Sequence, residues 1–589
     1  MRNLWGVRLK YVLLLAALLL LSGCDARVHT DRISDVWGRG RLLGRASGAT
    51  AVGLGPFPDG EHVAVAWIER LEESAEEALH LLILEAGGEV VVDEFVAPVA
   101  LPGADVSLLV GDGDTLHLLW TSGRKGERAL WHLQLPDVLG LDAAALEALQ
   151  PVEITPAERS VAGYEAAWHP DRGLVVLWQD ARGELLLWRG DESVLLLDQV
   201  LALDFQLDAA GLGHVAWSTR LEGARGAIYQ AFLDTETGSL SEPREVMAQV
   251  FGGRNPSLES VGGPTLILEE GEIYVSWTQL AMMGNQSQQQ LFTVVLPAWG
   301  EAGEPSPPLF VGLSPRFPPP LQPLEGPFPY RALANTEENV MRSTSVGRAP
   351  HALRGQHAEA VVAVSALYRT RSREEFQPTL IYLRDGEVLG YEPAVWTSQL
   401  SLNPVVRADE DQNLYLAWVD AVGGSYRYPL YLATTNPSLQ ATWDQLVEQD
   451  LLVILGDWLN RIAGGVFIGT FLTIWLMVPL PWLIFSLATG SAYGNRARVA
   501  FLVGLLIYWS SKYYLGSVVL TYIPGLYWLS PGWAGALVHG LPLAILFVAL
   551  VLVRLLFIRR DREFDLVRVF GTVVIIDWVL SNLVYAIGY

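Results

Sequence analysis

The chain has 589 residues, 51% of them apolar, and a formal net charge of −24 at pH 7. Its single cysteine, Cys24, excludes a disulfide framework and a cysteine-based metal site within one chain. Residues 1–24 carry three Lys/Arg and no acid, and residues 464–589 eight Lys/Arg against four Asp/Glu, so −31 falls on residues 25–463, a stretch that repels nucleic acid and anionic headgroups.

The N-terminus reads as an address. Arg2, Arg8 and Lys10 precede an eleven-residue apolar run, Tyr11 to Leu21, too short for an ordinary bilayer-spanning helix. The run ends in Leu21-Ser22-Gly23-Cys24, which resembles the bacterial lipobox. That resemblance implies a lipidated Cys24 at the mature N-terminus. Asp25, directly after it, resembles the signal that retains enterobacterial lipoproteins at the inner membrane. The chain beyond Cys24 is therefore expected to be exported.

From about residue 45 to 435 one grammar recurs: an apolar strand, an acidic or glycine turn, then a strand ending in tryptophan. HVAVAW, LHLLW, LVVLW, GHVAW, IYVSW and LYLAW end at Trp67, Trp120, Trp178, Trp217, Trp277 and Trp418. The turns before them include PDGE, GDGD, PDRG, DAAG, EEGE and DEDQ, all hairpin chemistry. A seventh copy, AVVAVSA at 360–366, lacks the tryptophan. The tryptophans are spaced 53, 58, 39, 60 and 141 residues apart. About 40 residues make one four-stranded propeller blade, and longer spacings are blades with insertions. The pattern predicts an all-β propeller of seven blades within residues 25–440. A strand near 39–45 should complete the last blade. Between 305 and 350 a proline-rich insertion interrupts the grammar and is expected to be a linker-like excursion or a loop over one face.

The repeats, with stretches such as LNPVVRADEDQNLYLAWVD, resemble the blades of sialidase-superfamily propellers. The departures are that the Asp-box S-x-D-x-G-x-x-T-W and an N-terminal FRIP-like arginine are both missing. Arg70, Arg124, Arg182, Arg220 and Arg427 follow tryptophan strands and are candidate carboxylate ligands. Glu69, Asp180 and Asp420 in the same loops are candidate catalytic acids. No nucleophile elbow, P-loop or HExxH helix occurs, and the ten histidines lack metal-ligand spacing. No cofactor is expected.

Residues 441–463 carry apolar residues at helical spacing with Asp444, Glu448, Asp450, Asp457 and Arg461 mostly opposite, which predicts an amphipathic interfacial helix. Four apolar segments come next, at about 464–487, 499–522, 533–558 and 566–587, so residues 464–589 read as an all-α transmembrane domain of four helices. Arg496 and Arg498, and Arg559, Arg560 and Arg562, lie in the first and third loops, while the second is aromatic and uncharged. The positive-inside rule puts the two basic loops in the cytoplasm and the propeller outside. Lys512 and Asp577 each lie 14 residues beyond a charge at a cytoplasmic end, Arg498 and Glu563, so they are expected at similar depth as an ion pair; His539 lies nearer the outer side.

The whole chain then reads as a multidomain bacterial cell-membrane protein: signal 1–24, propeller 25–440, interfacial helix 441–463 and helical domain 464–589. Its partners would be the lipid bilayer and another envelope protein or a glycan. Binding or scaffolding is favoured over catalysis. A sialidase-like glycoside hydrolase and a transport or assembly subunit are the alternatives.

Overall fold

The alternation of apolar strands and Asp/Gly turns folds as seven antiparallel sheets in succession, a seven-bladed β-propeller. The computed structural model describes residues 30–443 apart from short stretches, the longest 251–260, 298–303, 324–329 and 422–427, and residues 477–587 apart from 521–530 and 558–564. The chain divides into two compact units, His29–Gln445 and Met1–Val28 with Leu446–Tyr589. Cys24, Arg427 and residues 444–463 of the expected interfacial helix lie outside the described residues.

Each blade begins with a strand at the centre of the ring. These inner strands are Gly53–Pro56, Gly103–Val110, Val161–His169, Val200–Leu207, Val261–Glu269, His351–Ala352 and Leu400–Ala408. Each neighbours the next in that order, and the last neighbours the first. The tryptophan strands are the second strands, His62–Arg70 in blade 1 through Leu414–Ala421 in blade 7. They are apolar on both faces because each blade is sandwiched between two others. The tryptophans pack against the preceding blade: Trp120 clusters with Ala64, Ala66 and Leu81 of blade 1, and Trp418 with Val361, Ala363 and Leu380 of blade 6. A second aromatic stands directly opposite on the third strand in several blades, as with Trp217 and Tyr229, or Trp418 and Tyr431. The Asp of the first turn accepts backbone N–H bonds, Asp59 from Glu61 and His62, and Asp208 from Ala210 and Leu212.

The ring is closed by the N-terminal strand Arg41–Ala46, which pairs with Tyr428–Thr434 as the outer strand of blade 7. This is the closure expected from the strand count. It leaves neither terminal blade with an open gap.

Among its described residues the proline-rich insertion supplies edge strands to two blades. Leu309–Val311 is the outer strand of blade 5, and the hairpin Leu321–Pro323 and Tyr330–Ala332 extends the outer edge of blade 6. Proline is tolerated at such edges because no partner needs its missing N–H. A buried cluster pins this hairpin. Arg331, 1% exposed, donates to both carboxylate oxygens of Glu359 at 3.1 and 2.5 Å and stacks 3.8 Å from the Tyr382 ring. Tyr382 and the Trp37 indole both donate to Glu392. In blade 6, which has no tryptophan, Val362, Val364, Ala366 and Tyr368 fill the face toward blade 5.

The helical unit contains Leu480–Ala488, Gly494–Leu520, Pro531–Phe557 and Leu566–Ile587. Its helices overlap the four segments expected from hydropathy, but the transmembrane domain itself is not supported: among the described residues no helix is long and apolar enough to cross a membrane. Charged and polar residues do occur within two of the helices. Gly494–Leu520 contains Arg496, Arg498 and Lys512, and Leu566–Ile587 contains Arg568, Asp577 and Asn582.

Candidate functional site: a charged cluster in the central channel

Inner strands are apolar where they face neighbouring blades, so a charge on one of them that points into the ring meets only other inner strands. Five such residues converge: Glu165 of blade 3, Asp204 of blade 4, His351 and Arg354 at the entry to blade 6, and Arg407 of blade 7. Arg354 is held in place by its backbone, which bridges to Arg407 and accepts the N–H of Ala408 at 3.0 Å. Its side chain spans the channel. It forms an ion pair with Asp204, donates to the Phe205 carbonyl at 2.8 Å and lies 3.7 Å from Glu165. Asp204 also accepts the backbone N–H groups of Phe205 at 2.7 Å and Leu266 at 2.6 Å. It is thus a fully engaged carboxylate that ties blades 4, 5 and 6 together.

The remaining three groups have strongly shifted titration. Burial, then repulsion from Asp204, pushes Glu165 up to about 8, against the opposing pull of Arg354 and Arg407. Burial holds His351 well below its ordinary range, helped by Arg407 and Arg354, so its imidazole is neutral. Burial and repulsion from Arg354 push Arg407 down to about 9, so it remains charged at neutral pH.

Glu165 binds its proton more tightly in the folded protein than in the unfolded chain. Between the ordinary carboxylate range and about pH 8 the native state holds that extra proton, so its stabilising contribution is complete in acid and is lost as pH rises through this window. Water reaches 34% of the side chain, which reduces the effect to about 1–2 kcal/mol. Urea midpoints measured from pH 5 to 8.5 should fall, and Glu165→Gln should flatten the fall. An identical slope in the variant would remove Glu165 as its source.

The residues singled out by sequence lie elsewhere. Arg70, Arg124, Arg182 and Arg220 are exposed, Arg70 and Arg220 at the end of the second strand of blades 1 and 4 and Arg124 and Arg182 in the turn after that strand in blades 2 and 3. They share one propeller face, since antiparallel strands place those turns at one end, but they sit on different blades and do not join the channel cluster. The three candidate acids serve the fold. Glu69 accepts from the Trp67 indole and contacts His80. Asp180 accepts from Arg159 and from the backbone N–H of Arg182 and Glu184. Asp420 is buried, accepts from Ser401 and the Trp418 indole, and is pushed up to about 7, chiefly by burial.

In the helical unit Lys512 and Asp577 do meet. The ammonium lies 2.8 and 2.7 Å from the two carboxylate oxygens and 2.9 Å from the Ser581 hydroxyl, and Tyr508 donates to the same carboxylate at 2.6 Å. Lys512 and Asp577 are both 0% exposed. Tyr508 and Ser581 were legible in principle, each four residues from a member of the pair on its own helix, Tyr508 from Lys512 and Ser581 from Asp577. His539 belongs to Pro531–Phe557. The channel residues were harder to find. Their signal is a charge inside an otherwise apolar inner strand, as in LDFQL and PVVRA. Among the described residues no cluster of His, Cys, Asp and Glu could hold a metal ion.

No known protein family matches the sequence, and no curated protein does. Solved structures align with it at low identity. The polysaccharide lyase Uly1 aligns with TM-score 0.38 and 10% identity over 69% of this chain and 98% of its own. The α-L-arabinanase of Penicillium chrysogenum, complexed with arabinobiose, aligns with TM-score 0.34 and 9% identity over 69% and 96%. The α-L-arabinofuranosidase of Fusarium graminearum aligns with TM-score 0.35 and 7% identity over 67% and 98%.

Proposed function

We propose that the protein is a non-enzymatic binding module of the bacterial envelope, with its propeller outside the cytoplasm and its partner another envelope protein or a glycan. The observation that carries this reading is the employment of its carboxylates. Hydrolysis of a glycosidic bond by two carboxyl groups needs both to face the scissile bond. Here Asp204 is saturated by one guanidinium and two backbone donors, with Arg354 interposed before Glu165. The acids after the tryptophan strands hold indoles and turns. A propeller with its acids committed to architecture retains loops and a channel, which suit recognition.

Membrane attachment rests on the sequence: the lipobox-like Cys24, the four apolar segments and the basic loops between them. Apolar side chains that stand outward on the helices support it, among them Leu502 (62% exposed), Phe547 (67%) and Ile575 (64%), while the Lys512–Asp577 ion pair is turned inward. Lipidated Cys24 and the helical unit would together hold the propeller at the membrane.

The test is purification of the intact protein from native membranes after cross-linking. A terminus at lipid-modified Cys24 and a reproducible cross-linked envelope partner are expected. Multiple-turnover cleavage of a cell-wall or capsular glycan by the purified protein would overturn the binding reading, and an unprocessed Met1 terminus would overturn the lipid anchor.

A further inference from the structure

Arg407 differs from the other channel charges in having work left undone. Its Nη1 donates to the Val406 carbonyl at 3.0 Å and lies 3.5 Å from His351 Nε2. No described carboxylate pairs with it, and its Nε and Nη2 meet no acceptor among the described residues. Those two nitrogens form one of the two edges by which a guanidinium grips a planar oxyanion through parallel hydrogen bonds. Arg407 is part-buried, so a charged partner for this edge would face less competition from water than at the open surface.

We propose that the Nε–Nη2 edge of Arg407, flanked by Arg354 and His351 in the central channel, binds the carboxylate of a small ligand or of a sugar bearing one. The inference rests on reading the propeller as a binding module, and it names the chemistry that module recognises. Three features favour a single carboxylate. Arg354 is already paired with Asp204, so Arg407 is the guanidinium of the cluster whose fork faces no described carboxylate. His351 lies beside it, part-buried and uncharged, so it brings no second charge to the site. Glu165, protonated over the neutral range, does not repel an incoming anion. The surrounding domain is strongly acidic, so an anion would be selected by this fork and not by a diffuse positive field.

The full-length protein in detergent would be titrated calorimetrically at pH 7 with D-galacturonate, acetate and D-galactose. Saturable binding of galacturonate, and none of galactose, is expected. Acetate saturating as tightly as galacturonate would identify a small carboxylate as the ligand, and weaker acetate a carboxylated sugar; both sustain the site. Arg407→Met should weaken galacturonate at least about tenfold, the loss of a charged double hydrogen bond. Arg407→Lys, which keeps the charge and loses the fork, should weaken it by a similar factor, and both variants should melt like the wild type. Absence of saturable binding by either carboxylate, or unchanged affinity in both variants, overturns the site. Cross-linked partners recovered equally by wild type and Arg407→Met would then leave the binding module standing, whereas glycan cleavage would remove the module itself.

Discussion

Deleting residues 30–46 is expected to abolish the cooperative fold of the propeller. The segment contributes four separate attachments. Arg41–Ala46 is the outer strand of blade 7. Trp37 is 0% exposed and donates its indole N–H to Glu392. The Gly38 N–H reaches the Thr434 carbonyl at 2.9 Å. Thr30–Arg32 pairs with Val395–Thr397. Gly44 also lies so close to Trp67 that a Cβ there would stand 2.6 Å from Cζ2, which makes this strand part of the contact between blades 7 and 1. Without it, blade 7 exposes an unpaired edge and the Trp67 cluster loses one wall. A buried tryptophan alone is worth about 3–5 kcal/mol, and a whole domain is stable by only about 5–15 kcal/mol. The truncated protein should therefore show no sharp thermal transition and should be cut rapidly by protease. A milder probe is Gly44→Val, which should cost about 1–3 kcal/mol by forcing the Trp67 ring aside. A truncated protein melting within a few degrees of the full chain would show that the ring does not depend on this closure.

The second large effect belongs to the helical unit. Lys512 offers three N–H donors and uses them on the two oxygens of Asp577 and on Ser581. Asp577 accepts in addition from Tyr508. Removing one member leaves the other charged, buried and unpaired, which costs about 3–5 kcal/mol. Lys512→Met and Asp577→Leu should each lower the folded yield and the melting temperature in detergent sharply. The double replacement should recover most of the loss, since two apolar side chains fill the site with no charge to compensate. Recovery should be incomplete, because the Tyr508 and Ser581 hydroxyls then lose partners. Penalties that simply add in the double variant would show that the two residues act independently.

Much of the fold was legible in order along the chain. A blade is a local unit whose strands follow one another, so tryptophan spacing and turn chemistry were enough to predict seven blades, and the missing fourth strand of the last blade pointed to the segment before the first. The partnership of Lys512 and Asp577 was legible for the same reason: helices advance evenly, and equal counts from a basic and an acidic flank bring two residues to one level. The proline-rich insertion was legible only as an interruption. Its use as edge strands on blades 5 and 6, locked by Arg331 against Glu359 and Tyr382, depends on surfaces supplied by other blades. The apolar segments of the C-terminal third were legible as helices, while among the described residues no helix is long and apolar enough to cross a membrane. The channel cluster was decided by the tertiary structure alone. Glu165, Asp204, Arg354 and Arg407 span more than two hundred residues of sequence and belong to four blades, and on each inner strand a lone charge looks like any other exposed side chain. Ring closure turns those strands toward one axis and so brings together charges from blades that are far apart in the sequence.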